Sequence, residues 1–123
     1  MADKLTFAGP MDLIDLLYEG ALEQVRSARS YLSSGDVMAR GTALSKAFEF
    51  ISELILSLNH ERGGQMSADL LRVYGYLQTQ LLDAHRQQSD PLLAEAETIL
   101  TSLRDNWREV DRLLWKSDAV PER

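Results

Sequence analysis

The segment PMDLIDLLYEGALEQVRSARSYL, residues 10–32, carries the pattern that decides the fold. Its apolar residues recur at alternating steps of three and four positions, at Ile14, Leu17, Ala21, Val25, Ala28 and Leu32. This period is that of one face of an α-helix. Pro10 suits the first turn of such a helix, because its missing N–H is not needed there. The segment therefore predicts one long amphipathic helix.

Three further stretches of the chain show the same helical period. The second apolar stripe consists of Leu44, Ala47, Ile51, Leu54 and Leu58. The third consists of Met66, Leu70, Val73, Leu77, Leu81 and Ala84. The fourth consists of Leu92, Ala96, Ile99, Leu103, Trp107, Val110 and Leu114. Four helices of similar length with short connections are typical of antiparallel bundles, so the predicted fold class is all-α, a single-domain antiparallel four-helix bundle.

The connections between these stripes contain residues that end and begin helices. The sequence SSGD at 33–36 ends the first helix and offers Asp36 as the N-cap of the second. Gly63 or Gly64 can adopt positive φ at the next corner, and Asp90 can cap the fourth helix with Pro91 in its first turn. We therefore predict a short N-terminal arm at residues 1–9, the bundle at 10–116 and a flexible C-terminal tail at 117–123.

Composition narrows the class of protein. The chain has 123 residues, of which 45% are hydrophobic and 26% charged, a balance typical of one soluble globular domain. Its net charge of -6 disfavours nucleic acid as a partner. No apolar run is long enough to span a bilayer, the first residues do not resemble a signal peptide, and there is no cysteine. We expect a cytoplasmic protein without membrane insertion.

The stretch NHERGGQMSADLL at 59–71 contains two fragments that suggest chemistry. His60-Glu61 could open a zinc-protease motif, but the second histidine, required four residues after the first, is replaced by Gly64. The other histidine, His85, has Leu82 where a carboxylate-bridged iron site needs glutamate. Gly-Gly-Gln is the tripeptide of peptide-release factors, yet a helix corner explains it better in an acidic protein. We therefore predict no enzyme activity, no metal and no cofactor.

Several helices carry more apolar residues than one core-facing stripe needs. The residues predicted to bind a partner through this excess are Leu13, Leu16, Tyr18, Phe50, Leu54, Leu71, Tyr74 and Tyr76. If Leu16, Tyr18, Phe50, Leu71 and Tyr76 border a partner-binding groove, we expect each of them to be partly exposed. Two interpretations are open: a groove for amphipathic helices of another protein, or a widened core and a homodimer interface.

Four segments resemble, in order and spacing, the flagellar secretion chaperone family, FliS. These segments are LIDLLYEGAL (13–22), SGDVMARGTALSKAFEFISEL (34–54), LNHERGGQMSADLLRVYGYL (58–77) and LLDAH (81–85). The resemblance implies a cytoplasmic chaperone that binds the disordered C-terminal segment of flagellin, prevents premature polymerisation and helps deliver it to the flagellar type III export gate. It also implies a monomer in the absence of that client. Family members often carry a longer N-terminal arm with a tyrosine, whereas here nine residues precede Pro10 and Phe7 is their aromatic residue.

Overall fold

The computed structural model describes the backbone of residues 10–118 and the side chains of residues 13–61 and 63–110. The helices are α1 (Pro10–Ser34), α2 (Val37–Leu56), α3 (His60–Gly63), α4 (Gln65–Gln87) and α5 (Asp90–Asp118). There is no strand within residues 10–118. The predicted all-α four-helix bundle is confirmed, with the single turn α3 added at the corner between α2 and α4. The predicted arm at 1–9 lies outside the described residues, as do residues 119–123 of the predicted tail.

The four long helices form a closed ring in the order α1, α2, α4, α5. Helix α1 packs against α2 and α5, and α4 packs against the other sides of the same two helices. Only Gly35 and Asp36 separate α1 from α2, and a similarly short connection joins α4 to α5. Such short connections make consecutive helices antiparallel. The result is one core enclosed by all four helices.

Two of the three predicted corners are as expected. The Asp36 carboxylate accepts a hydrogen bond from the N–H of Ala39 at 3.0 Å, so it caps α2. Gly64 has a φ of 52°, which confirms the positive φ predicted at Gly63 or Gly64. The prediction of Asp90 as the cap of the last helix was wrong. Ser89 Oγ accepts from the N–H of Leu92 at 3.3 Å, while Asp90 is the first helical residue.

Within the described residues, the core comprises seventeen buried hydrophobic residues drawn from all four long helices. They are Tyr18, Ala21, Leu22, Val25, Ala28, Ala43, Leu44, Ala47, Ile51, Leu54, Tyr74, Leu77, Leu81, Ala84, Leu93, Ala96 and Leu100. The residues of the first three predicted stripes are buried or pack against this core, apart from Met66, which is exposed. In α5 the fully buried residues are Leu93, Ala96 and Leu100, of which Ala96 belongs to the predicted stripe, whereas Leu92 and Ile99 of that stripe are half-buried. Each half-buried residue is followed directly by a buried leucine, so the periodic pattern alone does not decide which member of the pair is buried.

Candidate partner-binding surface

Three of the eight residues predicted to bind a partner lie inside the core. Tyr18 and Tyr74 are each 2% exposed and Leu54 is 0% exposed. The expectation that Tyr18 is partly exposed was therefore wrong. The reason is that its hydroxyl lies 2.5 Å from the Tyr74 hydroxyl, so the two polar groups hydrogen-bond to each other and both rings can be buried.

Burial also changes the acidity of these two phenols. Removal from water raises the pKa of Tyr18 well above its usual range, and the neighbouring Tyr74 raises it further. Burial likewise raises the pKa of Tyr74, although the hydrogen bond with Tyr18 opposes that shift. Both groups are neutral hydrogen-bonding partners at neutral pH, which fits a structural role in joining α1 to α4.

The other five predicted residues reach the surface, but the structure does not bring them together in one groove. Leu13, Leu71 and Tyr76 are exposed, and Leu16 is half-buried. The Tyr76 hydroxyl donates to Glu95 of α5 at 3.3 Å, and the negative charge of Glu95 raises the pKa of Tyr76. Phe50 is half-buried between α1 and α2. Their role in partner binding stays a prediction.

Phe50 occupies its position because Gly20 has no side chain. A Cβ placed on Gly20 would lie 2.5 Å from Cζ of the Phe50 ring, well inside van der Waals contact. The glycine in α1 therefore allows the aromatic ring of α2 to lie directly against the α1 backbone. This contact fixes the register of the two antiparallel helices.

An open groove with many apolar lining residues lies between α2 and α4, and we call it the α2–α4 groove. Its volume is about 680 Å³, and the residues that line it are Val37, Met38, Gly41, Thr42, Leu44, Ser45, Phe48, Glu49, Leu81, Leu82 and His85. Val37, Met38 and Leu82 are 52%, 82% and 61% exposed. Large apolar side chains grouped in this way around an open groove are typical of a protein-binding surface.

A buried cation holds one wall of the α2–α4 groove in place. Arg40 is only 3% exposed, and its Nε donates to Nδ1 of His85 at 3.1 Å. Its Nη2 donates to the backbone carbonyl of His85 at 3.4 Å, near the carbonyl end of α4. Nδ1 of His85 accepts the hydrogen bond from Arg40 Nε, and the other edge of the ring lies against Gly41, where an added Cβ would be 3.4 Å from Cε1.

The opposite side of the bundle, between α1 and α5, is closed by ion pairs. Near the start of α5, Arg29 forms two hydrogen bonds with the Asp90 carboxylate, at 2.8 and 2.9 Å. Arg29 and Arg26 each contact Glu97 at 2.9 Å. The Arg29 hydrogen bonds lower the pKa of Asp90, and the hydrogen bond from Arg26 contributes most to lowering that of Glu97.

A second cluster of ion pairs closes the other end of the α1–α5 face. Arg108 contacts Asp15 at 2.6 Å and also pairs with Glu19, which Arg104 contacts at 3.1 Å. Hydrogen bonding to Asp15 raises the pKa of Arg108. These pairs leave the α1–α5 face polar, so it does not suit an apolar partner as the α2–α4 groove does.

Sequence reasoning missed Val37 and Met38, which line the α2–α4 groove. Both follow directly after the Asp36 cap, in the first turn of α2 and before the predicted stripe begins at Leu44. The sequence does show that these two adjacent apolar residues lie at the start of a helix and outside its core-facing stripe, and this pattern could have identified them. Within the described residues, no group of three or more histidine, aspartate or glutamate side chains could hold a metal ion.

Comparison with known proteins identifies the family. The family described as "Flagellar protein FliS" matches residues 2–113 of this chain. The chain belongs to the FliS family. The flagellar secretion chaperone FliS of Salmonella typhimurium is 35% identical over 84% of this chain and 77% of the relative. This confirms the resemblance noted in the sequence.

Two further relatives show that the similarity spans distant bacteria. The flagellar secretion chaperone FliSB of Pseudomonas aeruginosa is 32% identical over 81% of this chain and 79% of its own length. The flagellar secretion chaperone FliS of Bacillus subtilis is 32% identical over 83% of this chain and 75% of its own length. Among the described residues, none of the helices has the length and hydrophobicity needed to cross a membrane.

Proposed function

We propose that this FliS-family protein is a cytoplasmic flagellar secretion chaperone that acts by binding, without catalysis. Its client is the disordered C-terminal helical segment of flagellin, which it keeps from polymerising prematurely and helps deliver to the flagellar type III export gate. The names of the relatives support the chaperone role. The observation that carries the proposal for this chain is the open apolar α2–α4 groove.

The shape and chemistry of the α2–α4 groove support a helical client. Val37 and Met38 on α2 and Leu82 on α4 offer apolar side chains from both rims. An amphipathic helix can bury its apolar face between two such rims, with anchors spaced three or four residues apart. The client is unfolded before binding, so its ordering opposes association by about 2–5 kcal/mol or more. Contacts in one short groove would offset only part of the free energy needed to order the client. We therefore propose that the client covers more of the chaperone surface than this groove alone.

The exposed and half-buried members of the set predicted from sequence are proposed as further contacts of the same client. They are Leu13, Leu16, Phe50, Leu71 and Tyr76. Tyr18, Leu54 and Tyr74 are proposed to act only through the shape of the core, because their side chains are buried.

The proposal is tested with a matched pair of substitutions and a synthetic peptide of the flagellin C-terminal segment from the same organism. Leu82→Glu places a charge in the α2–α4 groove, whereas Leu56→Glu places the same charge at another exposed leucine, which lies outside it. Neither change affects the core, so both variants should melt like the wild type. We expect Leu82→Glu to weaken peptide binding at least about tenfold and Leu56→Glu to leave it nearly unchanged.

Two results would contradict the proposed function. One is a wild-type protein that does not bind the peptide at all. The other is equal binding by the two glutamate variants, which would show that the groove is not the docking site. The alternative is a self-associating structural bundle, and sedimentation of the purified protein tests it. The proposed chaperone should be monomeric in the absence of its client. An obligate dimer whose sedimentation does not change when flagellin is added would favour the alternative.

A further inference from the structure

A second, smaller groove runs along the other side of α2, between α2 and α1. We call it the α1–α2 groove. Its volume is about 500 Å³, and it is lined by Leu17, Gln24, Lys46, Glu49, Phe50 and Glu53. Glu49 also lines the α2–α4 groove, so the two grooves meet across one exposed ridge of α2. A chain that leaves the first groove can therefore enter the second by crossing this ridge.

The contact between Gly20 and Phe50 sets the order of residues along the α1–α2 groove. The two helices are antiparallel, so Gln24, four residues after Gly20, lies level with Lys46, four residues before Phe50. Each step of four residues advances about 6 Å along the helix axis. The groove thus has an apolar floor of Phe50 and Leu17, with the two nitrogen donors of Gln24 and Lys46 at one end.

The ammonium group of Lys46 differs from the other cations that the structure describes. The described arginines that form ion pairs with carboxylates are Arg26, Arg29, Arg72, Arg86, Arg104 and Arg108. Arg40 hydrogen-bonds His85 instead. Among the described side chains, neither the Lys46 ammonium nor the Gln24 amide takes part in a hydrogen bond or ion pair. Two donors without partners therefore converge beside an apolar floor.

We propose that this end of the α1–α2 groove receives the C-terminal carboxylate of the client chain. Lys46 pairs with the carboxylate, the Gln24 amide donates to it, and the last apolar side chain of the client packs on Phe50 and Leu17. The inference rests on the proposed function, which supplies a client with a free C-terminus. It adds the chemical group that is recognised and the residues that recognise it.

The charges along the groove favour a chain end over an internal acidic segment. Glu49 and Glu53 lie beyond Lys46, toward the other end of the groove. They repel any client carboxylate that is not next to Lys46, and the net charge of -6 strengthens that repulsion. A chain terminus presents one carboxylate and then ends. The preceding client residues lie beside Glu49 and Glu53, where a basic side chain or the positive N-terminal end of a helix is favoured.

The test compares two forms of the flagellin C-terminal peptide, one with a free carboxylate and one with a C-terminal amide. Wild-type protein should bind the free acid about tenfold more tightly than the amide, because hydrogen bonds to a charged group are the stronger ones. In Lys46→Gln the two forms should bind equally, at the level of the amide. Lys46→Arg should restore the preference, and high salt should reduce it.

Arg72→Gln is the matched control, because it also removes an exposed cation but lies on α4 and outside both grooves. This variant should keep the full preference for the free acid. Lys46 is exposed, so circular dichroism should show all variants folded.

Equal binding of acid and amide by the wild type would overturn the inference and leave the proposed function intact. Failure of both peptides to bind would overturn both. A preference that persists in Lys46→Gln would assign the carboxylate to another site.

Discussion

The buried pair of Tyr18 and Tyr74 provides the sharpest test of the packing. Tyr18→Phe removes one hydroxyl and keeps the ring, so it creates almost no cavity. The hydroxyl of Tyr74 then remains in the core without its partner, 2.5 Å from where that partner stood. A buried polar group that loses its hydrogen bond costs about 1–3 kcal/mol of stability. Tyr74→Phe should cost a similar amount, because it leaves the Tyr18 hydroxyl alone.

The double variant with phenylalanine at both positions should be more stable than the sum of the two single losses predicts. It leaves no hydroxyl in the core, and replacing both partners with apolar groups of the same shape can be nearly neutral. The assay is urea unfolding of the wild type, both single variants and the double variant, combined as a double-mutant cycle. We expect the loss in the double variant to fall short of that sum by roughly 1 kcal/mol or more.

Tyr76→Phe is the control for this cycle, because the Tyr76 hydroxyl is exposed and bonds to Glu95 at 3.3 Å. Its loss should leave stability nearly unchanged, because surface substitutions of this kind usually have little effect. Additive losses at Tyr18 and Tyr74, or single variants as stable as the wild type, would refute the mutual hydrogen bond as the reason for their burial.

The same pair predicts how stability depends on alkaline pH. The pKa of both buried phenols is raised in the folded protein, chiefly by removal from water. A group whose folded pKa is raised contributes stability below its unfolded pKa, which is about 10 for tyrosine, and this contribution is lost as the pH rises above that value. Urea unfolding should therefore show a steeper loss above about pH 10 in the wild type than in the double phenylalanine variant.

Three further predictions concern the helix contacts, the corner and the ion pairs. Gly75→Ala should raise stability in urea unfolding by up to about 1 kcal/mol, because the space around Gly75 is open. Gly20→Ala should gain less stability or lose some, because the Phe50 ring would lie 2.5 Å from the new Cβ. Gly64→Val should lower the melting temperature, at a cost of roughly 1–3 kcal/mol for its positive φ, while Gln65→Ala should leave it unchanged. Asp90→Asn should make stability less sensitive to acid, because the hydrogen bonds from Arg29 lower the pKa of Asp90 in the folded protein. The contribution of Asp90 to stability is therefore present above its unfolded pKa of about 4 and is lost as the pH falls through its folded pKa.

The helical period in the sequence predicted most of the core, and its errors have a common cause. Tyr18 lies beside the main stripe of α1, so the sequence pattern places it in the surplus apolar surface. Its burial depends on a second hydroxyl, 56 residues later in the sequence, that meets it inside the core. A pattern within one helix contains no information about such a partner. The same holds for Leu93 and Leu100, which lie beside the predicted stripe of α5 and are buried in the bundle that α5 forms with α1 and α4.

The helix ends show the same limit at a smaller scale. Ser89 and Asp90 are both good N-cap residues, and the sequence alone does not separate them. Arg29 of α1 decides between them, since it binds the Asp90 carboxylate and leaves Ser89 to cap α5. The turn α3 is four residues long, which is too short for a periodic pattern to reveal it.

The candidate site was harder to predict than the core, because a groove belongs to two helices at once. Val37 and Met38 are apolar in sequence, but their place in a groove depends on Leu82 and His85 of α4. Leu13 and Leu71 have the same apolar character and line neither groove. Lys46 could be noticed in the sequence, but its significance comes from Gln24 and Phe50 beside it and from the absence of an ion pair among the described side chains.

In the proposed function the bundle holds an unfolded client and remains folded, and the distribution of polar and apolar contacts is compatible with both. The α1–α5 face is joined by ion pairs at both ends, through Arg29 near the start of α5 and Arg108 toward its other end. Exposed pairs of this kind contribute little to stability individually, but together they fix the two helices without using apolar surface. Some apolar side chains outside the core flank α2, with Met38 in the α2–α4 groove on one side and Phe50 in the α1–α2 groove on the other. A client that follows α2 gains apolar contacts and breaks none of these ion pairs, whereas one that inserted between α1 and α5 would have to separate them. The same arrangement that closes one face of the bundle therefore directs the client to the other.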